Sequence, residues 1–175
     1  MGFVGVIFVA GVHAVGKTTL CKQAEQIKGI AHYSASALIR EEKASAVPEQ
    51  GKAVSEVDAP QRHLICAVRR ILRKHGGNIL LDGHFSLLTA AGRIETIDVD
   101  VFRVLGLERA VVLHDKPEAI AARWSQRDGG KVDTEMVDAH QKEEMRHARY
   151  VARVLAIPLA EIQAFDAATF MSSLA

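Results

Sequence analysis

Cysteine is scarce in this sequence: Cys21 and Cys66 are the only two in 175 residues, so no disulfide framework can hold the chain together. Both fall in segments that read as helices, and a reducing, cytoplasmic setting is expected. Charge of one sign is equally lacking. Lysine and arginine number 22 against 21 for aspartate and glutamate, which excludes a global field that gathers nucleic acid or anionic lipid. Neither nucleic acid nor membrane is an expected partner, whereas a protein partner or a second copy of the chain remains compatible. The apolar start, Met1 to Ala10, has no cationic n-region of an export signal and reads as a buried strand. No internal repeat or low-complexity tract appears. What is present is average: 49% hydrophobic and 25% charged residues describe a globular chain, and its length suits a single domain over residues 1–175.

Val4 to Ala10 is rich in Val, Ile and Phe, the pattern of a central parallel strand covered on both faces. Thr18 to Lys28 carries Leu20, Ala24 and Ile27 at helical spacing and stops at Gly29. Ile30 to Ser34 gives a second strand, and Ala35 to Ala46 a helix with Leu38 and Ile39 inward, ended before Pro48. Val47 to Ala59 is polar and mixed, and is expected to be mobile. Leu64, Ile65, Val68, Ile71 and Leu72 predict an amphipathic helix from Pro60 to Gly76-Gly77.

Asn78 to Asp82 and Ala110 to His114 read as the third and fourth strands. After the latter, Asp115 as N-cap, Pro117 at the first helical position and Glu118 as capping-box partner start a helix to about Arg127. A short polar stretch, 127–133, has the size of a lid. A long helix from Thr134 to Leu155, a fifth strand at Leu159 to Gln163 and a terminal helix from Asp166 complete the order. Such alternation predicts a three-layer α/β sandwich, a five-stranded parallel sheet with helices on both faces.

Between the first strand and the first helix stands Gly11-Val12-His13-Ala14-Val15-Gly16-Lys17-Thr18, the Gly-x-x-x-x-Gly-Lys-Thr pattern of a P-loop. Its glycines let backbone amides point inward at phosphate, Lys17 reaches the β/γ-phosphates, and the Thr18 hydroxyl is placed for Mg2+. Residues 11–18 with Thr19 are the expected ATP-binding segment. Phosphoryl transfer further needs positioned cations. Arg123 with Arg127, and Arg146 with Arg149, are spaced one helical turn apart so that each pair shares a face. Asp82, at a strand's carboxyl end where ligands of α/β sheets gather, is expected at the metal or the acceptor. Arg40 and Arg62 are candidates to grip an acceptor phosphate, and His84 to act as base or hydrogen-bond partner. Trp124 is expected to pack its helix on the sheet, and no zinc spacing is visible among Cys and His.

The order of these pieces resembles the nucleoside monophosphate kinases. Ser34-Ala35-Ser36-Ala37-Leu38-Ile39-Arg40 matches the serine and arginine of their second motif, with Ser36 and Ala37 in place of its glycine and aspartate. Asp82 followed by His84, the run Pro117-Glu118 to Arg123, and His140, Met145 and Arg146 in order are most similar to the archaeal-type adenylate kinases. The resemblance implies a P-loop kinase fold with acceptor-binding helices at about 35–75 and a short lid at about 127–133. It implies Mg2+ and ATP as cofactors, and transfer of the γ-phosphoryl group to a nucleoside monophosphate. Lys17, Asp82, Arg123, Arg127 and Arg146 become catalytic candidates, Thr18 and Asp82 metal ligands, and Ser34, Arg40, Asp82 and His84 acceptor contacts. Another small acceptor, a polynucleotide end, or an ATP-binding regulatory or assembly ATPase are the alternatives left open by Ser36 and Ala37.

Overall fold

A computed structural model describes residues 5–45 and 58–175. Strand β1, Val6–Ala10, is buried along its whole length. It alternates Val6 and Phe8 toward one core with Ile7 and Val9 toward the other, as a strand sandwiched between helical layers must. Helix α1, Lys17–Lys28, follows and ends at Gly29, whose amide donates to the Glu25 carbonyl. Strand β2 is His32–Ser34, helix α2 Ala35–Ser45, helix α3 Ala59–Lys74 and strand β3 Ile79–Gly83. The predicted Val47 to Ala59 segment lies outside the described residues except for Asp58 and Ala59, as do the first four residues.

Residues 84–106 hold three elements that the periodicity does not predict. Strands β4, Ser86–Leu88, and β5, Ile94–Thr96, pair antiparallel as a small separate sheet, and helix α4, Val99–Leu105, follows. Three-residue strands and a seven-residue helix are too short to show a period. Strand β6, Leu107–His114, helix α5, Pro117–Asp128, helix α6, Thr134–Leu155, strand β7, Leu159–Gln163, and helix α7, Ala167–Ser173, complete the chain. Asp115 is not the N-cap of α5. That position belongs to Lys116 without a side-chain cap, because the Asp115 carboxylate is taken by Arg123 and Gln163.

The main sheet has five strands in the order β2-β3-β1-β6-β7, all parallel, as the alternation predicts. Its register does the positioning: Ser34 pairs with Asp82 and Val9 with Asp82, so the ends of β2, β3 and β1 arrive at one edge just before Gly11. Beneath that edge, the rings of Phe8, Phe85 and Phe102 contact one another with centroids 4.8–5.4 Å apart. Full burial of such side chains contributes about 1.5–3 kcal/mol each. No described helix is long and apolar enough to cross a membrane.

Candidate functional site

The loop after β1 turns back on itself at two glycines. Gly11 has φ 144°, and a Cβ there would come within 2.9 Å of the Leu113 carbonyl. Gly16 has φ 113°, and a Cβ there would meet the Phe165 ring at 3.1 Å. Both positions therefore require glycine. Val12 and Val15 drop their side chains into the core, so with Gly11 they frame the loop. His13, Ala14, Gly16, Lys17, Thr18 and Thr19 line a cleft of about 350 Å3 above it.

Lys17 is 8% exposed and donates from Nζ to the carbonyls of Gly11, at 2.7 Å, and Val12, at 3.1 Å. Burial pulls its pKa down to about 8, while the carboxylates of Glu144 and Asp82 act in the opposite direction. Thr18 donates from Oγ1 to Asp82 Oδ2 at 3.3 Å, which brings the two predicted metal ligands together. His32 Nε2 lies 2.6 Å from the same oxygen. Cys21, on the inner face of α1, puts its sulfur near this pair, and ligand atoms of Cys21, His32 and Asp82 lie within 4.8 Å of one another. Positions 21, 32 and 82 converge only through the sheet, so sequence spacing does not show the cluster. Burial pushes the Cys21 thiol well above its ordinary pKa, which keeps it protonated.

Of the predicted arginines, Arg123 and Arg127 line the cleft. Arg123 is held in three ways: Nε donates to the Ala14 carbonyl at 3.0 Å, Nη2 to Asp115 at 2.8 Å, and its guanidinium lies 5.0 Å from the Phe165 ring centre. Arg127 is 67% exposed beside Asp128. His13 ties the loop to the same helix end through Asp128, at 2.8 Å, and rests edge-on against Trp124. Arg146 is not brought to the cleft. It pairs with Glu143 on the exposed side of α6, and Arg149 pairs with Glu161 of β7. The residue of α6 that reaches the P-loop is Glu144, two positions earlier and so on the opposite helix face.

Glu144 is fully buried, and it does not pair with an arginine. Oε1 accepts from the amides of Gly11 at 3.2 Å and Phe85 at 2.7 Å, and Oε2 from the amide and hydroxyl of Ser86 at 2.6 and 2.5 Å. One carboxylate thus fastens the P-loop to the segment after β3. Val137, His140, Gln141, Glu144, His147, Ala148, Val151 and Ala152 form the buried stripe of α6 at helical spacing, and a glutamate at a buried position needs a buried partner.

Of the residues expected to contact an acceptor, Ser34, Asp82 and His84 line the cleft, and Ser36 lines it as well. Arg40 and Arg62 are exposed and line neither this cleft nor the cavity beside it. That second cavity, about 110 Å3, is walled by α2, α3, α4 and β4 and shares Ser36, Asp82 and His84 with the cleft. Burial, reinforced by Lys17 and His140, lowers the His84 pKa to about 3, so its ring is neutral at physiological pH. Its Nδ1 is enclosed without a hydrogen-bond partner.

Three solved structures share this architecture. A gluconokinase from Sinorhizobium meliloti 1021 is 17% identical with a TM-score of 0.56, covering 100% of this chain and 95% of that one. The tunicamycin resistance protein of Deinococcus radiodurans is 14% identical with a TM-score of 0.54, covering 90% and 99%. An uncharacterized protein from Eubacterium ventriosum ATCC 27560 is 13% identical with a TM-score of 0.54, covering 98% and 96%. No curated protein matches the sequence. The likeness fixes the fold as the α/β P-loop NTPase type. From the last residue of β1 to the residue after Glu144, over 10–145, the sequence matches the AAA domain family, to which the chain belongs.

Proposed function

We propose that the chain is an ATP-dependent phosphotransferase that moves the γ-phosphoryl group of ATP to a small molecule. The observation that carries this is the junction of two cavities at one strand end, where Ser36, Asp82 and His84 line both. Hydrolysis needs only room for a water beside the γ-phosphate, whereas transfer needs a second chamber opening onto it. The P-loop amides and Lys17 would cradle the phosphates, with Arg123 and Arg127 neutralising charge that spreads over the moving group. Thr18 Oγ1 and Asp82 Oδ2 offer the hard oxygen donors that suit Mg2+. Held there with the nucleotide, Mg2+ supplies charge neutralisation on the phosphate oxygens. Phe165, 50% exposed beneath the Arg123 guanidinium, offers a stacking platform for the base.

The kinase name of the structurally similar gluconokinase supports this reading. The narrower assignment, a nucleoside monophosphate as acceptor, is supported by the order of motifs from Ser34 to Arg123, although Arg40 lies away from both cavities. The test is ADP formation from Mg-ATP with and without nucleoside monophosphates, nucleosides, sugar acids and simple alcohols, in wild type and Lys17→Ala. Acceptor-dependent ADP formation is expected, with nucleotide affinity and turnover falling at least tenfold in Lys17→Ala. ADP release at one rate whatever acceptor is added would overturn transfer and leave an ATPase.

A further inference from the structure

The chamber beside the P-loop cleft has a composition that constrains what can occupy it. Its walls are Phe8, Ile39, Leu64, Val101, Phe102 and Leu105 with further apolar neighbours, and its ionisable lining among the described residues is Asp82 and His84. No lysine or arginine is among its described lining residues, so no fixed cation there would hold an anion. The side chains that could have gripped a phosphate, Arg40 and Arg62, are exposed outside the cavity. A phosphate dianion placed there would lose its hydration without gaining an ion pair. The cations Lys17, Arg123 and Arg127 all line the neighbouring cleft, where the donor's phosphates belong.

Among the described lining residues, Gln61 on the α3 wall is polar, and the other polar side chains stand at the mouth. Ser36, Asp82 and His84 line both spaces, and the enclosed, unpartnered Nδ1 of His84 is a polar atom still lacking a hydrogen bond. The volume, about 110 Å3, approaches that of apolar cavities that take up benzene, roughly 150 Å3. It accommodates a branched alkyl group or a small ring. Gly83 keeps the floor low, since a Cβ there would meet the Phe8 ring at 2.9 Å.

We infer that the acceptor is an uncharged alcohol whose apolar body fills this cavity and whose hydroxyl lies at its mouth among Ser36, Asp82 and His84. The inference rests on the phosphotransferase reading above. In the reaction it describes, the hydroxyl oxygen forms a bond to the γ-phosphorus and the bond from that phosphorus to the β-γ bridging oxygen breaks. ADP leaves with the bond's electron pair, and the hydroxyl proton passes to solvent at the cavity mouth.

The experiment uses the full chain with Mg-ATP and two panels of acceptors. Benzyl alcohol, 3-methylbutan-1-ol and thymidine are the uncharged probes; AMP, CMP, GMP and UMP are the charged ones. Phosphorus NMR follows new phosphomonoester or diphosphate signals, and saturation-transfer NMR with a non-hydrolysable ATP analogue follows binding. Leu87, 42% exposed yet lining the cavity, is replaced in Leu87→Trp to fill the space, and affinity for the ATP analogue reports that this variant is folded. The expected result is binding and phosphorylation of at least one uncharged probe, weakened tenfold or more in Leu87→Trp. Should Leu87→Trp fail to fold, the same loss is expected in Ile39→Phe on the opposite wall. Phosphorylation of a monophosphate with no transfer to any uncharged probe overturns the inference and leaves the phosphotransferase standing. An uncharged probe that binds without accepting phosphate while monophosphates do accept it overturns the inference in the same way. If no member of either panel raises ADP formation, both fall.

Discussion

Glu144→Gln is the substitution on which the proposed architecture of the site depends most directly. The wild-type carboxylate offers two oxygens to four donors: the amides of Gly11, Phe85 and Ser86 and the Ser86 hydroxyl. A carboxamide of the same shape keeps one accepting oxygen and turns its NH2 toward the other two donors. Two charge-assisted bonds are lost in a fully buried place, and two donors face a donor, a cost of about 2–4 kcal/mol. Chemical denaturation with matched m-values measures this. A second effect separates the site from mere stability. The Glu144 charge opposes the burial that brings Lys17 down to about 8, so removing it lowers the Lys17 pKa further. Affinity for an ATP analogue in wild type is expected to fall about tenfold per pH unit above about 8, as Lys17 loses its proton. In Glu144→Gln that alkaline limb should begin at lower pH. A stability loss below about 0.5 kcal/mol together with an unmoved limb would refute the assignment.

Arg127→Ala should lower turnover tenfold or more with a smaller change in ATP affinity, since its guanidinium lines the cleft beside Asp128, whereas Arg146→Ala should change both less than twofold; isothermal titration and steady-state kinetics of both variants decide. Phe165→Gly removes the ring at a residue with φ 66°, where glycine is at ease, so ATP-analogue affinity should fall roughly tenfold while inorganic triphosphate affinity holds. His84, brought down to about 3 from 6.5, stays neutral in the folded chain while the unfolded chain takes up a proton below about pH 6.5. Its contribution is therefore complete above about 6.5 and is lost as pH falls toward about 3. Between pH 7 and 5, wild type should lose about 1–2 kcal/mol more than His84→Gln in denaturant titrations; equal losses would remove the burial assigned to His84.

The main sheet and its long helices could be read from the sequence because most of these elements carry a pattern several residues long, and the three-residue β2 lies inside the run Ile30 to Ser34. Thr134–Leu155 and Leu159–Gln163 have the predicted bounds for that reason. The hairpin at 86–96 and α4 could not, since three-residue strands and one short helix leave no period to count. The site divides along the same line. Gly11 to Thr18 is contiguous and legible, and Asp82 was found because strand ends collect ligands. Glu144 is the one acidic residue on a buried stripe of α6 in which four of eight side chains are polar, so it does not stand out, and its partners, Gly11 and Phe85, are 133 and 59 residues away. Arg146 shows the converse. Its place in a motif order says nothing of which face of α6 it occupies, and its neighbour Glu143 holds it on the outer one.

The distribution of charge across this strand end bears on how the proposed reaction finishes. Lys17, Arg123 and Arg127 line the cleft, while the described lining of the second cavity holds no lysine or arginine. An uncharged alcohol enters that cavity by burying apolar surface. Transfer then leaves two anions side by side at the mouth, the product's phosphoryl group and the β-phosphate of ADP, which repel each other. The product thus binds more weakly than the uncharged substrate it came from, which met no such repulsion. ADP keeps its cations, with Lys17 and Arg123 still facing its phosphates. The acceptor product should therefore depart first and ADP last, so that release of ADP, with the movement of the Arg127 end of α5 that it requires, is the step that limits turnover.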